Sequence, residues 1–315
     1  MRYALMIEPQ QGCSYADQLA IALRAEAAGF ETLFRSDHYD SFPGELGHPT
    51  TDAWTVVAGL ARETERIQLG VLVSPVTFRH PGTLAKIIVT VDEMSGGRVV
   101  VGLGAGWNEG EHAHHGLEFP TIEVRAEMLE EQLAILRGLW QEPDGWSFAG
   151  RHYTVPGSLF RPRPVQRPAP HVIVGGEGSP RSMRIAVRYA DEFNLSSSTP
   201  ERAAERFAKL DEAARAAGRD PSTLVHSSMV GVLVGRDAGE LARRSAALLG
   251  QLGLADADAT WFESRKSRWI LGTPDAARAK AERFAAVGVE RLVLQDFLPW
   301  DLEMIDLLGE VLVRA

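Results

Sequence analysis

The 315-residue chain has a single cysteine, Cys13, which excludes an internal disulfide and any metal cage built from several thiolates. That economy suits a reducing compartment. No apolar run approaches the roughly 18 residues that cross a bilayer. The opening stretch MRYALMIEPQ reads as a strand, not as a basic segment followed by an apolar one. A soluble cytoplasmic protein is expected. Basic residues are outnumbered, 33 Lys and Arg against 42 Asp and Glu, for a net charge of −9. With no concentrated basic block, nucleic-acid binding is not expected. An anionic small molecule held by a few local arginines stays compatible with an acidic protein.

What the chain does have is a rhythm. Short apolar segments alternate with helical patterns at about 30-residue spacing, the signature of βαβ units around a parallel sheet. Strands are expected at 2–9, 31–38, 67–76, 98–104, 171–176, 191–196, 225–235 and 290–297. The helix boundaries are marked in the sequence. Ser14 and Gly29 bracket the first helix, Thr51 or Asp52 caps the second, and Pro81 and Gly96 bracket the third. The alternation pauses between strands four and five. A loop at 104–120, a long helix, a small hairpin around Ala149-Gly150-Arg151 and the proline-rich connector 161–170 are expected there. A second irregular stretch, 250–272, follows the seventh strand. Eight strands and eight helices match a (β/α)8 TIM barrel in one domain, 1–315, with insertions after strands four and seven. A doubly wound open sheet is the competing architecture.

In such a barrel the site lies at the C-terminal strand ends. RSDHYD (35–40) puts Asp37 and His38 at the end of strand two, and histidine titrates near neutral pH. Glu8 ends strand one, either facing the site or pairing with an arginine. GLGAG (102–106) lacks the GxGxxG spacing of a dinucleotide fingerprint. The residues after strand four, Trp107, Asn108 and Glu109, offer a flat face, an amide and a carboxyl group. VIVGGEGSPRSMR (172–184) joins a buried strand to three glycines, Gly175, Gly176 and Gly178. Ser179 then caps a helix with Pro180 at its first position, and exposed helix N–H groups bind phosphate. Arg181 and Arg184 would add charge. EHAHHG (111–116) lacks metal-ligand spacing, so no metal is expected and a solvated loop is. SRKSRW (264–269) reads either as a solvated lid or as a clamp for an anion, with Arg265, Lys266 and Arg268 as the cations. Trp107, Trp261, Phe262 and Trp269 read as an apolar pocket or as lid packing.

Together these stretches resemble the luciferase-like monooxygenase superfamily and, within it, the coenzyme F420 (deazaflavin)-dependent oxidoreductases. The resemblance rests on SDH (36–38), LGVLVSPVTFRHPGTLAK (69–86), DEMSGGRVVVGLGAGWNEGEH (92–112), QRPAPHVIVGG (166–176) and RYADEFN (188–194). It implies a tricyclic ring in the barrel mouth against strands two, three and four, with Asp37, Val73, Ser74, Thr77, Gly104 and Asn108 around it. A non-proline cis peptide is implied within Leu72-Val73-Ser74. The phosphate would lie near Gly175, Gly176 and Gly178. His38, oriented by Asp37, and Glu109 match the neighbourhood of the family's proton donors. The implied activity is hydride transfer between F420 and a small organic substrate, in a homodimer. An FMN-dependent monooxygenase and a non-catalytic flavin-holding barrel are the alternatives.

Overall fold

The structure, a computed structural model, describes residues 1–42, 44, 46–254 and 260–314. β1 (Arg2–Ile7) leads to α1 (Tyr15–Ala28), and β2 (Thr32–Arg35) to α2 (Ala53–Glu63). β3 (Gln68–Pro75) precedes α3 (Pro81–Ser95), and β4 (Val99–Gly104) precedes α4 (Glu109–His114) and α5 (Ile122–Gln141). The hairpin β5 (Trp146–Ala149) and β6 (Thr154–Ser158) follows. Next come β7 (His171–Gly176), α6 (Pro180–Tyr189), β8 (Glu192–Ser196), α7 (Pro200–Ala216), β9 (Val225–Val234) and α8 (Ala238–Gln251). After these stand α9 (Thr260–Glu263), β10 (Ile270–Gly272), α10 (Pro274–Ala286), β11 (Arg291–Asp296) and α11 (Leu302–Leu308).

Eight parallel strands pair in the order β11-β1-β2-β3-β4-β7-β8-β9, and β9 pairs back onto β11. The ring is closed, so the open-sheet alternative is excluded. β10 adds three residues beside the upper end of β9. Strand side chains split between two apolar cores. Ala4, Met6, Phe34, Leu72, Val100, Ile173 and Val293 fill the barrel interior. Their neighbours, such as Leu5, Leu33, Val71, Val101 and Leu294, face the helices. This is the period-two alternation of a strand buried on both faces.

The caps are those the residue types favour. Ser14 and Asp17 form a capping box on α1, Asp52 rather than Thr51 caps α2, and Ser179 caps α6 ahead of Pro180. Two stretches are more ordered than the sequence pattern implied. Residues 104–120 contain α4, so His112 and His114 are helical, and His112 is 1% exposed instead of solvated. The stretch 250–272 holds the end of α8, then α9 and β10, while residues 255–259 of it lie outside the described residues. The cis peptide falls at Leu72-Val73, and the β3–β4 register shifts between Val71 and Ser74 at the same place.

Asp296 closes β11 with its side chain fully buried. One carboxylate oxygen, Oδ1, accepts the Leu298 N–H at 2.7 Å, and Oδ2 has no partner. Burial pushes this carboxyl up to about 7, against the pull of the Leu298 N–H and Arg244. In the unfolded chain an aspartate titrates near 3.9, so the native state holds a proton that the unfolded state releases across roughly pH 4–7. Stability from this group is therefore lost as pH rises through that window. Asp296→Asn should shift Tm more favourably at pH 8 than at pH 5, by on the order of 2–4 °C relative to wild type. Thermal unfolding of both proteins at the two pH values measures it.

Candidate functional site

All eight barrel strands, with the first turns of α4, α5 and α6, contribute to the wall of a cavity of about 720 Å³ at their C-terminal side. Its floor is set by a backbone irregularity. At the shift in β3, Val73 lies over β4 and the strand beyond it, β7. A Cβ on Gly104 of β4 would come within 2.6 Å of Val73 Cγ2, and one on Gly175 of β7 within 2.7 Å of Cγ1. Only glycine leaves room at both positions. Val73 is half-buried, and with Leu72 and Pro75 it lines the cavity.

Beneath the bulge the polar groups are locked. Ser74 donates to Asp37 Oδ2 at 3.0 Å and accepts the Trp54 indole N–H at 2.8 Å. Asp37 is also gripped by Arg79, which reaches Asp52 and the Tyr39 hydroxyl as well. Burial of Asp52 works against its charge, yet Arg79 and the Thr55 N–H hold its carboxyl down to about 2. A buried charge is tolerated when it is paired and hydrogen-bonded in this way.

His38 has a different orienter from the one expected. Asp37 is committed to Arg79 and Ser74, and the carboxylate on His38 is Glu111, with Oε2 3.1 Å from Nδ1. Glu111 is 1% exposed and also accepts the backbone N–H groups of Tyr39 and Asp40, the latter at 3.1 Å. One carboxylate thus pins both the imidazole and the loop that carries it. The other ring nitrogen, Nε2, has no hydrogen-bond partner among the described residues. Phe42 and Trp107 meet the ring edge-on, with centroids 4.4 and 5.8 Å away.

Asn108 is the N-cap of α4, its Oδ1 accepting the Glu111 N–H at 3.3 Å. His112 is held between the Asn108 carbonyl and Thr77, each at 2.6 Å. Opposite, α6 presents its N-terminus behind Gly175 and Gly176. Ser179, Ser182 and Arg181 line the cavity there, and Gly178 turns with φ +75°.

Of the residues expected at the site, His38, Val73, Gly104, Asn108, Gly175 and Gly176 line this cavity. Asp37 and Ser74 sit behind the wall and support it. Thr77 lines a neighbouring recess with His152 and Tyr153. Gly178 shapes the turn, and Glu109 is exposed on the outer side of α4, off the cavity wall. Arg265, Lys266 and Arg268 also lie off that wall. Arg265 stacks on Trp261 at 3.5 Å, and Lys266 pairs with Glu263. Trp269 stacks on Phe297, and only Phe297 reaches the cavity. Among the described residues no cluster of His, Cys, Asp or Glu is arranged to hold a metal ion, and no helix is long and apolar enough to cross a membrane.

Glu111, Arg79, Gln10 and Gln295 are among the polar residues of the site to which the motifs gave no role. A signal for Glu111 existed: Asn108-x-x-Glu111 has the spacing of a helix cap and its third residue.

Comparison with known proteins agrees with the geometry. Residues 1–296 match the luciferase-like monooxygenase family. The chain belongs to that family. A relative from Beutenbergia cavernae, an F420-dependent glucose-6-phosphate dehydrogenase, is 30% identical over 89% of this chain and 87% of its own length. One of the same name from Amycolatopsis mediterranei is 33% identical over 56% of this chain, which spans about half (52%) of that relative's length. Among solved structures, an F420-dependent secondary alcohol dehydrogenase in complex with an F420-acetone adduct superposes with a TM-score of 0.82, at 23% identity, over 99% of this chain and 98% of that one. At that identity the likeness concerns the fold.

The Val73 contact generates a test. Gly175→Ala should displace Val73 and lower stability by about 1–3 kcal/mol. Urea unfolding reads it, and a companion Gly175→Ala/Val73→Ala double variant should recover part of the loss.

Proposed function

We propose that this protein is a coenzyme F420-dependent oxidoreductase that moves a hydride between the deazaflavin and a small organic substrate. The observation that carries the reading is the cavity floor: a single valine side chain seated over two glycines beside the N-terminus of α6. A flat ring fits against such a raised apolar floor. A phosphate fits the start of α6, where the helix N-terminus and the Arg181 side chain meet the cavity. The dehydrogenase names of the relatives support the same reading.

When bound, the deazaflavin supplies or accepts the hydride. The protein's work is orientation and proton control. Val73, Leu72 and Pro75 would back the ring, with Gly104 and Asn108 at its edge. Gly175, Gly176, Ser179, Ser182 and Arg181 would hold the phosphate end. His38, with Nδ1 fixed by Glu111 and Nε2 free, gives or takes the proton that accompanies the hydride. Glu111 acts through His38 by setting its ring orientation, whereas Glu109, exposed and off the cavity wall, has no part in the transfer. The mostly apolar walls exclude water around the transfer.

The reading includes a cytoplasmic homodimer, and sedimentation at micromolar protein should give twice the 34.4 kDa chain mass. Fluorescence titration should show F420 binding at micromolar Kd or tighter, and FMN binding more weakly. His38→Ala should lower turnover by roughly 10²–10⁴-fold with little change in F420 affinity. Equal loss of binding and turnover would remove His38 from the chemistry. FMN binding tighter than F420 would favour the monooxygenase alternative.

A further inference from the structure

Glu8 stands at the end of β1, 5% exposed, and lines the cavity. Its two oxygens accept amide N–H groups, Oε2 from Gln10 at 2.9 Å and Oε1 from Gln295 at 2.5 Å. The Gln10 amide is oriented in turn by the Ser36 hydroxyl, which donates to Gln10 Oε1 at 2.8 Å. Among the described residues no arginine, lysine or histidine comes within ion-pair distance of Glu8. The other carboxylates on the wall are accounted for. Glu111 holds His38, while Glu123 and Glu177 are exposed to solvent. Glu8 is therefore the one lining carboxylate that is both buried and without a cation.

The cavity is electrically lopsided. Arg181 is its single Lys or Arg among the described residues, and it sits at the α6 end. Arg206 reinforces that end, donating to the Gly178 carbonyl at 3.3 Å. The opposite end holds Glu8, two primary amides and the aromatic rings of Phe42, Trp107 and Phe297. A buried carboxylate calls for a positive partner, and aromatic faces favour a cation over a neutral group. An anion at that end would meet the Glu8 carboxylate, and the positive charge it could find there is a protonated His38 already held by Glu111.

We propose that the substrate of this site is a nitrogen cation with an apolar body, an iminium ion or the corresponding protonated amine, and that Glu8 is its counter-charge. The identity of the reaction rests on the deazaflavin reading above, whereas the charge preference rests on the cavity alone. In the reductive direction the iminium carbon takes a hydride from reduced F420 and the π pair of the C=N bond settles on nitrogen. That nitrogen takes up the proton which the reduced cofactor also releases. The product is an ammonium ion, and the cofactor ends oxidised by two electrons. A phosphorylated sugar does not fit the Glu8 end.

The test is calorimetric titration of the full chain at pH 7, with and without F420. Three probes are compared: a phenyl-substituted cyclic secondary amine, the alcohol of the same skeleton, and glucose-6-phosphate. The amine should bind at least about tenfold tighter than the alcohol. Glu8→Gln should erase most of that preference. Should Glu8→Gln fold poorly, the N,N-dimethyl quaternary form of the amine against wild type gives the same reading without a variant. Equal affinity for amine and alcohol, tighter binding of the sugar phosphate, or a preference that survives Glu8→Gln overturns the proposal. F420 titration in the same protein is read separately. Loss of F420 binding with the amine preference intact would sink the deazaflavin reading and leave the charge preference standing.

Discussion

Two missing side chains shape the mouth of this barrel. Where Gly104 and Gly175 carry hydrogen, any larger residue would drive into Val73. The consequence runs outward from there. With Val73 lying over β4 and β7, β3 leaves its register with β4 for two residues and rejoins at Ser74. That displacement leaves Ser74 pointing to Asp37 and Trp54, beneath the wall instead of on it. A local packing constraint thus decides which face of β3 meets the cavity and which anchors β2 and α2. Close-packed interiors transmit such shifts because they have little slack.

Charge is handled in two ways around the site. Behind the wall, Arg79 gathers the buried Asp37, the half-buried Asp52 and the Tyr39 hydroxyl into a paired knot. Burial acts against the Arg79 charge, and the two carboxylates more than offset it. The barrel's opposite end repeats the device: Glu192, fully buried, meets His171 at 2.9 Å and Arg291 at 3.0 Å. These knots tie strands to one another and leave no charge in need of a ligand. Within the cavity the pairing is deliberately incomplete. His38 keeps one nitrogen free, and Glu8 has amide partners only. Asp92 and Arg35 are also buried with neutral partners only, but they lie off the cavity wall, whereas Glu8 and His38 face open space where chemistry has room to act.

The barrel was legible in the sequence because each level of the pattern agreed. Strand spacing, Ser14 and Ser179 as caps, Pro81 and Pro180 at helix starts, and a count of eight all indicate one topology. The glycines at 104, 175 and 176 were legible as a mouth. Glu111 was harder to separate from Glu109. Two residues apart on a helix turn a side chain by roughly 200°, so one faces His38 and the other faces water. The choice depends on where α4 starts, and that stretch lacks the length for a clear period. Arg79 was hidden for another reason, since its partner Asp37 lies 42 residues away and no local rule links them. The ordered parts of 250–272 follow no period because their anchors are tertiary: Trp269 on Phe297, and Gly272 behind Gly235.

Glu111 links the two halves of the site more firmly than any residue that touches only one of them. It belongs to the helix after β4, yet its carboxylate fixes the loop after β2 through two backbone N–H groups and an imidazole. Asn108, its own helix cap, lines the cavity three residues earlier. The cap and the carboxylate therefore place the amide and the imidazole on opposite shoulders of the same opening by one short helix. A six-residue helix has little intrinsic stability, so it relies on these contacts to hold its position. The dependence is mutual: α4 is anchored by the loop whose histidine it orients. Loss of the carboxylate would free His38 and its loop, while Asn108 stays held by the Glu111 backbone N–H and by His112, which Thr77 anchors.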